Sequence, residues 1–276
     1  LLIRHADPDY ANDCLTEIGR QEAQSLALFL STLNIEKLYS SPLGRAQETA
    51  KYTSELTRKR ITTLDWLQEL EGEYEKGKKW AWNTHRENPS LQRSDFSLKT
   101  WDQEVPYGSH MKTIAEECYR QFESFLAEMG VETTGEGTFE VNQSNSKTIA
   151  FFAHEGFIKT LLAYALQLPP PTMYAQTEIQ PSSVTTVTLA DNPKFQNRQT
   201  FRMSTLNDLT HDRQGLRKHW KPSFQQVFDA QYNRTFHQKI GDVEKTLLYG
   251  RLAHALNPTP ENELSLQYQV AQKGTI

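Results

Sequence analysis

Two apolar runs, far apart in the chain, each end in a histidine. Leu1-Leu2-Ile3-Arg4-His5-Ala6 opens the sequence, and Ile149-Ala150-Phe151-Phe152-Ala153-His154-Glu155-Gly156 follows about 150 residues later. Short apolar runs bounded by polar turns read as buried strands. In an open α/β sheet, ligands bind just beyond the carboxyl ends of the strands. Two strands that each deliver a histidine to that edge would bring the pair into one pocket. Ser40-Ser41-Pro42-Leu43-Gly44-Arg45-Ala46 adds an arginine after a third short apolar run. Two arginines and two histidines converging describe an anion site.

The intervening pattern supports such a sheet. After a polar turn from Asp7 to Leu15, Thr16 reads as the N-cap of a helix with Glu17 in its first turn and Asn34 at its close. Ile35 to Ser40 reads as a second strand and Ala46 to Leu56 as a second helix, an alternation that predicts parallel strands covered by helices. Regularity fades from Glu71 to Ser109, where Trp80, Trp82, Trp101 and several lysines fall in a segment read as a cap over the sheet edge. The tryptophans there are read as packing the cap onto the sheet rather than binding ligand. Met111 to Met129 has the spacing of a long amphipathic helix, and Gly130 to Lys147 is read as a flexible connection. Thr148 to Ala153 is the strand before His154, and Phe157 to Leu168 a helix stopped by Pro169-Pro170-Pro171. Val184 to Ala190 and Gln199 to Leu206 read as two further strands.

Composition excludes several classes of function. The 276 residues carry a net charge of −4, with 23% charged and 37% hydrophobic residues, which suits a soluble globular chain. Nothing suggests a basic nucleic-acid surface or a polybasic membrane patch, so anion binding must be local. No window approaches the ~18 consecutive apolar residues of a membrane span. Cys14 and Cys118 form neither a disulfide framework nor a metal pattern, and a cytoplasmic setting is expected. His5, Asp7 and His154 could supply metal ligands, but no pair has the i, i+4 spacing of a zinc-binding helix, and arginines crowd the site. No metal or other cofactor is expected.

With these residues in hand, the chain resembles the histidine phosphatase superfamily, the phosphoglycerate-mutase-like group. The resemblance rests on Arg4-His5, on Leu15-Thr16-Glu17-Ile18-Gly19-Arg20-Gln21-Glu22-Ala23, on Ser41-Pro42-Leu43-Gly44-Arg45-Ala46-Gln47-Glu48-Thr49-Ala50, on His154 after its strand, and on Asn207-Asp208. It implies an α/β fold with a mainly parallel sheet flanked by helices. It implies a catalytic domain over residues 1–212, with the cap inserted at about 71–110. It further implies that His5 is a nucleophile forming a phosphohistidine, that Arg4, Arg45 and His154 hold the phosphoryl group, and that a carboxylic acid protonates the leaving group. An imidazole near its ordinary pKa of about 6.5 keeps a lone pair for phosphorus at neutral pH. Arginine supplies planar, charge-assisted hydrogen bonds that lysine cannot reproduce. Beside a bound phosphate dianion the pKa of His154 is expected to rise.

Leu67-Gln68-Glu69 fits the family's spacing for the acid, so Glu69 is preferred, with Glu71 and Glu73 as competitors. Asn12, Ser109 and Glu155 are candidate substrate contacts, and Glu155 puts a negative charge where glycine is common in the family. The expected reaction is metal-independent hydrolysis of a small phosphate monoester. A phosphoglycerate-type mutase and a catalytically weak phospho-ligand-binding module are the alternatives. The mutase is less favoured because no arginine pair occurs in the cap. Residues 213–276 read as a helical extension. Its stripe of Phe224, Val227, Phe228, Tyr232, Phe236 and Ile240 would dock on the domain's own flank or on a second subunit.

Overall fold

Alternation along the strands decides which helix covers which face. In a computed structural model describing residues 1–74, 79–83, 97–103, 107–135, 137–142, 147–191 and 198–212, strand β1 (Leu2–Arg4) lies parallel to β10 (Thr148–Ala153), and β10 lies parallel to β4 (Ile35–Ser40). Successive side chains of a strand point to opposite faces. Leu2, Tyr39, Phe151 and Ala153 therefore share one buried layer with Phe122 and Phe125 of helix α3 (Gly108–Glu128) and Phe157, Ile158 and Leu161 of α4 (Glu155–Ala165). Ile3, Leu38, Ala150 and Phe152 share the other layer with Leu26 and Leu30 of α1 (Glu17–Ser31) and Ala50 of α2 (Gly44–Thr57). Both faces of the central strands are buried, as their nearly unbroken apolar sequence requires.

The sheet has eight strands among the described residues. Three of its seven pairings are parallel, joining β5 (Ile61–Thr63), β4, β10 and β1. Beyond β1 the order continues antiparallel through β11 (Val184–Asp191), β12 (Arg198–Asp208), β9 (Thr138–Val141) and β8 (Val131–Gly135). The α/β sheet is thus mixed, with a mostly parallel core flanked by helices. The β8–β9 hairpin corrects the reading of residues 130–147 as a flexible connection. Its polar sequence hides it, because only Val131, Thr138 and Phe139 are buried on this edge. Gly135 and Gly137, both at positive φ, let the chain reverse. Short strands β2 (Pro8–Asp9) and β3 (Cys14–Leu15) pair within the polar turn after β1.

Local signals set the helix ends. Thr16 caps α1, its Oγ1 accepting from the Gly19 N–H at 3.0 Å. The Pro169 stop holds, yet Pro170 also occupies the first turn of a short helix, α5 (Pro170–Gln176), where its missing N–H costs nothing.

In the segment read as a cap, β6 (Glu73–Tyr74) pairs with β7 (Lys79–Trp80). Trp82, Trp101 and Tyr107 form a separate apolar cluster with Met111 and Ala115 of α3 and Tyr174 of α5. The Trp82 ring passes between two glycines. A Cβ on Gly72 or on Gly156 would stand 2.5 Å from a ring carbon. Trp82 and Trp101 are buried, but against α3 and α5 rather than on the sheet, and Trp80 is 39% exposed.

The chain divides into two compact units, Leu1–Leu209 and Thr210–Ile276. The expected C-terminal helices and their apolar stripe lie outside the described residues. Among those described, no helix is long and apolar enough to cross a membrane.

Phe152, fully buried on the middle strand of the parallel core, gives a direct test of this packing. Phe152→Ala should lower unfolding free energy by about 3–5 kcal/mol, read as a shift in urea midpoint with an unchanged slope.

Candidate active site

Strand register brings the histidines together. Arg4 pairs with Ala153 across the β1–β10 ladder, so His5 and His154 are the next residues on adjacent strands. The His5 N–H still donates to Ala153 O at 3.0 Å, and the two imidazole centroids stand 5.2 Å apart. The end of β4 joins them through the Ser41 N–H, which donates to Phe152 O at 2.9 Å. Arg4, His5, Arg45, Glu69, Glu71, Glu73, Trp80, Trp82 and Glu155 line one cavity of about 800 Å³, together with Tyr10, Leu70, Asn83 and His110.

His5 is held in one tautomer. Its Nδ1 lies 2.8 Å from the Ala6 carbonyl, which can only accept, so Nδ1 carries a proton and, whenever the ring is neutral, the lone pair is on Nε2. The loop behind it is fastened by residues of the two motif segments. The Ala6 N–H donates to Thr49 Oγ1 at 3.0 Å, the Asp7 N–H to buried Glu22 at 2.9 Å, and the Leu15 N–H to Glu48 at 2.7 Å. Thr16 Oγ1 donates to Asp7 Oδ2 at 2.7 Å. These motif residues build the cradle around the nucleophile candidate.

Both arginines are oriented by a carboxylate through the same atom. Arg4 Nη1 donates to Glu155 Oε2 at 2.8 Å and to Ile179 O at 2.5 Å. Arg45 Nη1 donates to Asp13 Oδ1 at 2.5 Å. The other oxygen of Asp13 accepts from the Gly44 N–H at 2.6 Å, at the start of α2. In each guanidinium the Nε–H is buried without a hydrogen-bond partner. Leaving a buried donor unsatisfied costs about 1–3 kcal/mol. Asp13, with φ of 47°, and Tyr10, over whose ring Arg45 lies at 5.4 Å, were not singled out from sequence. Both fall in the polar turn after β1, which carries no periodic signal.

Glu69 faces the helix that follows His154. Its Oε1 accepts from the Phe157 N–H at 3.0 Å and its Oε2 from the Gly156 N–H at 3.2 Å. The carboxyl therefore sits at the positive end of α4. Enclosure raises its pKa above the ordinary carboxyl value, against the opposing pull of the N–H groups of Gly156, Leu70 and Phe157 and of the Arg4 charge. Desolvation is the larger effect, so proton uptake is easier here than for a free glutamate. Glu71 and Glu73 line the same cavity.

His154 is fully buried, with Nε2 2.8 Å from Ser41 Oγ and Nδ1 without a partner. Burial, followed by His5, Arg45 and Arg4, pushes its pKa well below the ordinary histidine value. The rise expected from sequence referred to a bound dianion. The protein alone holds His154 neutral.

Asn12 is exposed, its amide donating to Asp9 Oδ2 at 2.7 Å, and it does not line the cavity. The side chain of Ser109 lies outside the described residues. Among those described, no group of three His, Cys, Asp or Glu residues is placed to hold a metal ion. Cys14 and Cys118 are free thiols.

A mixed α/β sheet with a mostly parallel core thus carries a His–Arg pocket at the carboxyl edge of its parallel strands. Residues 1–200 match the family model described as histidine phosphatase superfamily (branch 1), and the chain belongs to that superfamily. No curated protein matches the chain in sequence. Among solved structures, it resembles a mycobacterial glucosyl-3-phosphoglycerate phosphatase at 21% identity and a TM-score of 0.51, over 75% of this chain and 96% of that one. It also resembles a phosphoserine phosphatase from Entamoeba histolytica, at 20% identity and 0.51, over 76% and 96%. A third, Bacillus stearothermophilus YhfR, shares 19% identity at 0.51 over the same shares. At these identities the likeness is one of fold.

The pKa of His154 has a consequence for stability. Because its folded-state value lies below the unfolded one, the unfolded chain binds more protons once the pH falls below about 6.5. The stability contributed by neutral His154 is present above that pH and is lost progressively as the pH falls toward the folded value. Melting temperatures should therefore decline between pH 7 and pH 5, and decline less steeply in His154→Gln.

Proposed function

We propose that this protein hydrolyses small phosphate monoesters through a phosphohistidine on His5, without a metal ion. The observation that carries the reading is His5, its Nδ1 turned to the Ala6 carbonyl so that Nε2 is the nitrogen left to attack, in one cavity with two carboxylate-oriented arginines and the raised-pKa carboxyl of Glu69. In the first step Nε2 attacks phosphorus and the P–O bond to the alcohol breaks. Arg4 and Arg45 stabilise the equatorial oxygens, and Glu69 gives its proton to the leaving oxygen. In the second step water attacks phosphorus, Glu69 accepts the water's proton, and the P–N bond breaks to release phosphate and restore His5. His154 in its neutral form would donate its single N–H to a phosphoryl oxygen, exchanging Ser41 for the substrate. Residues 1–212 serve as the catalytic domain, and the segment at 71–110 as its cap. Glu71, Glu73, Trp80, Trp82, Asn83 and His110 on the cavity wall support that role.

Hydrolysis of p-nitrophenyl phosphate in the presence of EDTA tests the scheme. The intact protein should turn over, and His5→Ala should lose at least about 10³-fold while still binding vanadate. No turnover by the intact protein would overturn the hydrolase reading, and a loss on chelation would overturn the metal-free step. Glu69→Gln distinguishes the acid. It should slow alkyl phosphates by about 10²–10⁴-fold and p-nitrophenyl phosphate far less, because nitrophenolate leaves without a proton. Equal losses on both substrates would reassign the acid to Glu71 or Glu73.

A further inference from the structure

Glu155 occupies an unusual position for a carboxylate beside an anion pocket. It is the first residue of α4, its side chain is 13% exposed, and it lines the cavity. One oxygen accepts from Arg4 Nη1 at 2.8 Å, and the other pairs with Lys159 Nζ at 2.7 Å, one helical turn on. Lys159 is almost wholly enclosed, at 1% exposure, and its Nζ also lies 3.4 Å from Trp82 O. A buried ammonium strongly resists losing its counter-charge. Glu155 is therefore tied at both oxygens between the anion pocket and the cap.

Among the described residues, the wall beyond it has the same sign. Glu71 and Glu73 line the cavity, and Trp80 stacks on Trp82 with centroids 5.1 Å apart, giving an aromatic face. Of the cavity-lining basic side chains described, Arg4 and Arg45 are each already bonded to a carboxylate, and His110 Nε2 lies 3.1 Å from Glu71 O. A second anionic group on a substrate would meet carboxylates there. A positive group would meet carboxylates and indole faces, both of which attract it.

We propose that Glu155 is a specificity-determining residue, selecting phosphate monoesters whose alcohol carries a positive charge, such as amino-alcohol phosphates, over those bearing a carboxylate or second phosphate. This rests on the proposed phosphatase site. Its test uses binding, so it does not depend on turnover. Calorimetry would compare 2-aminoethylphosphonate with phosphonoacetate, stable mimics alike in size and opposite in the charge of the tail. The intact protein should bind the aminoethyl compound about tenfold more tightly or better. Glu155→Gln should bring that ratio near one and tighten inorganic phosphate several-fold by freeing Arg4. Should loss of the Glu155 carboxylate beside buried Lys159 prevent that variant from folding, exposed Glu73→Gln provides a second reading and should reduce the ratio about two- to threefold. A wild-type preference for phosphonoacetate, or a ratio unmoved in whichever variant folds, overturns the proposal. The same samples assayed on p-nitrophenyl phosphate separate the two readings. Charge preference without turnover upholds this inference and counts against the phosphatase, while turnover without charge preference does the reverse.

Discussion

The parallel register of β1 on β10 is the constraint from which the rest of the site follows. Pairing Arg4 with Ala153 places His5 and His154 on neighbouring strands at the same height, where the β1–β10 ladder ends. A slip of one residue would exchange every inward and outward side chain and separate the two rings. What prevents the slip is burial on both faces. Ile3 and Phe152 are fully enclosed against α1 and α2, while Leu2 and Phe151 are enclosed against α3 and α4. The packing of apolar residues that take no part in chemistry sets the geometry of those that could.

Around this junction the polar groups are arranged in pairs that trade one cost against another. Each arginine is turned by a carboxylate on Nη1, and each keeps a buried Nε–H without a partner. Glu69 is desolvated, which raises its pKa, yet it accepts N–H bonds from the start of α4, which lowers it. His154 is neutral because it is buried and because His5 and both arginines surround it. These groups are held away from their preferred states in water, and perturbed groups concentrated in one cleft are characteristic of functional sites.

The site was legible in outline because its residues follow strands. A histidine after a buried run must emerge at the sheet edge, so His5 and His154 were placed by position alone, and Arg45 followed from its place after β4. Glu69 was reached through resemblance and spacing, and the structure puts it in the cavity with Arg4 and Arg45. The supporting partners were less accessible. Asp13 sits in a turn with positive φ, and Thr49 and Glu48 look like ordinary helix residues until the loop they fasten is seen. The β8–β9 hairpin leaves little trace in the sequence because a sheet-edge hairpin buries too little to show alternation.

By itself, the sequence determined the strands that end at Arg4, Ser40 and Ala153, the two strands over Val184–Asp191 and Arg198–Asp208, the main helices between them, the cap of α1 at Thr16, and the family. Those features depend on local periodicity and on residues a few positions apart. Only the tertiary structure decided that Glu155 turns toward Arg4 and Lys159, that Asp13 orients Arg45, and that Trp82 threads between Gly72 and Gly156. Asp13 and Arg45, Glu155 and Arg4, and Trp82 and Gly156 each meet across many intervening residues. Such contacts leave no periodic trace, because they depend on where whole strands and helices come to rest.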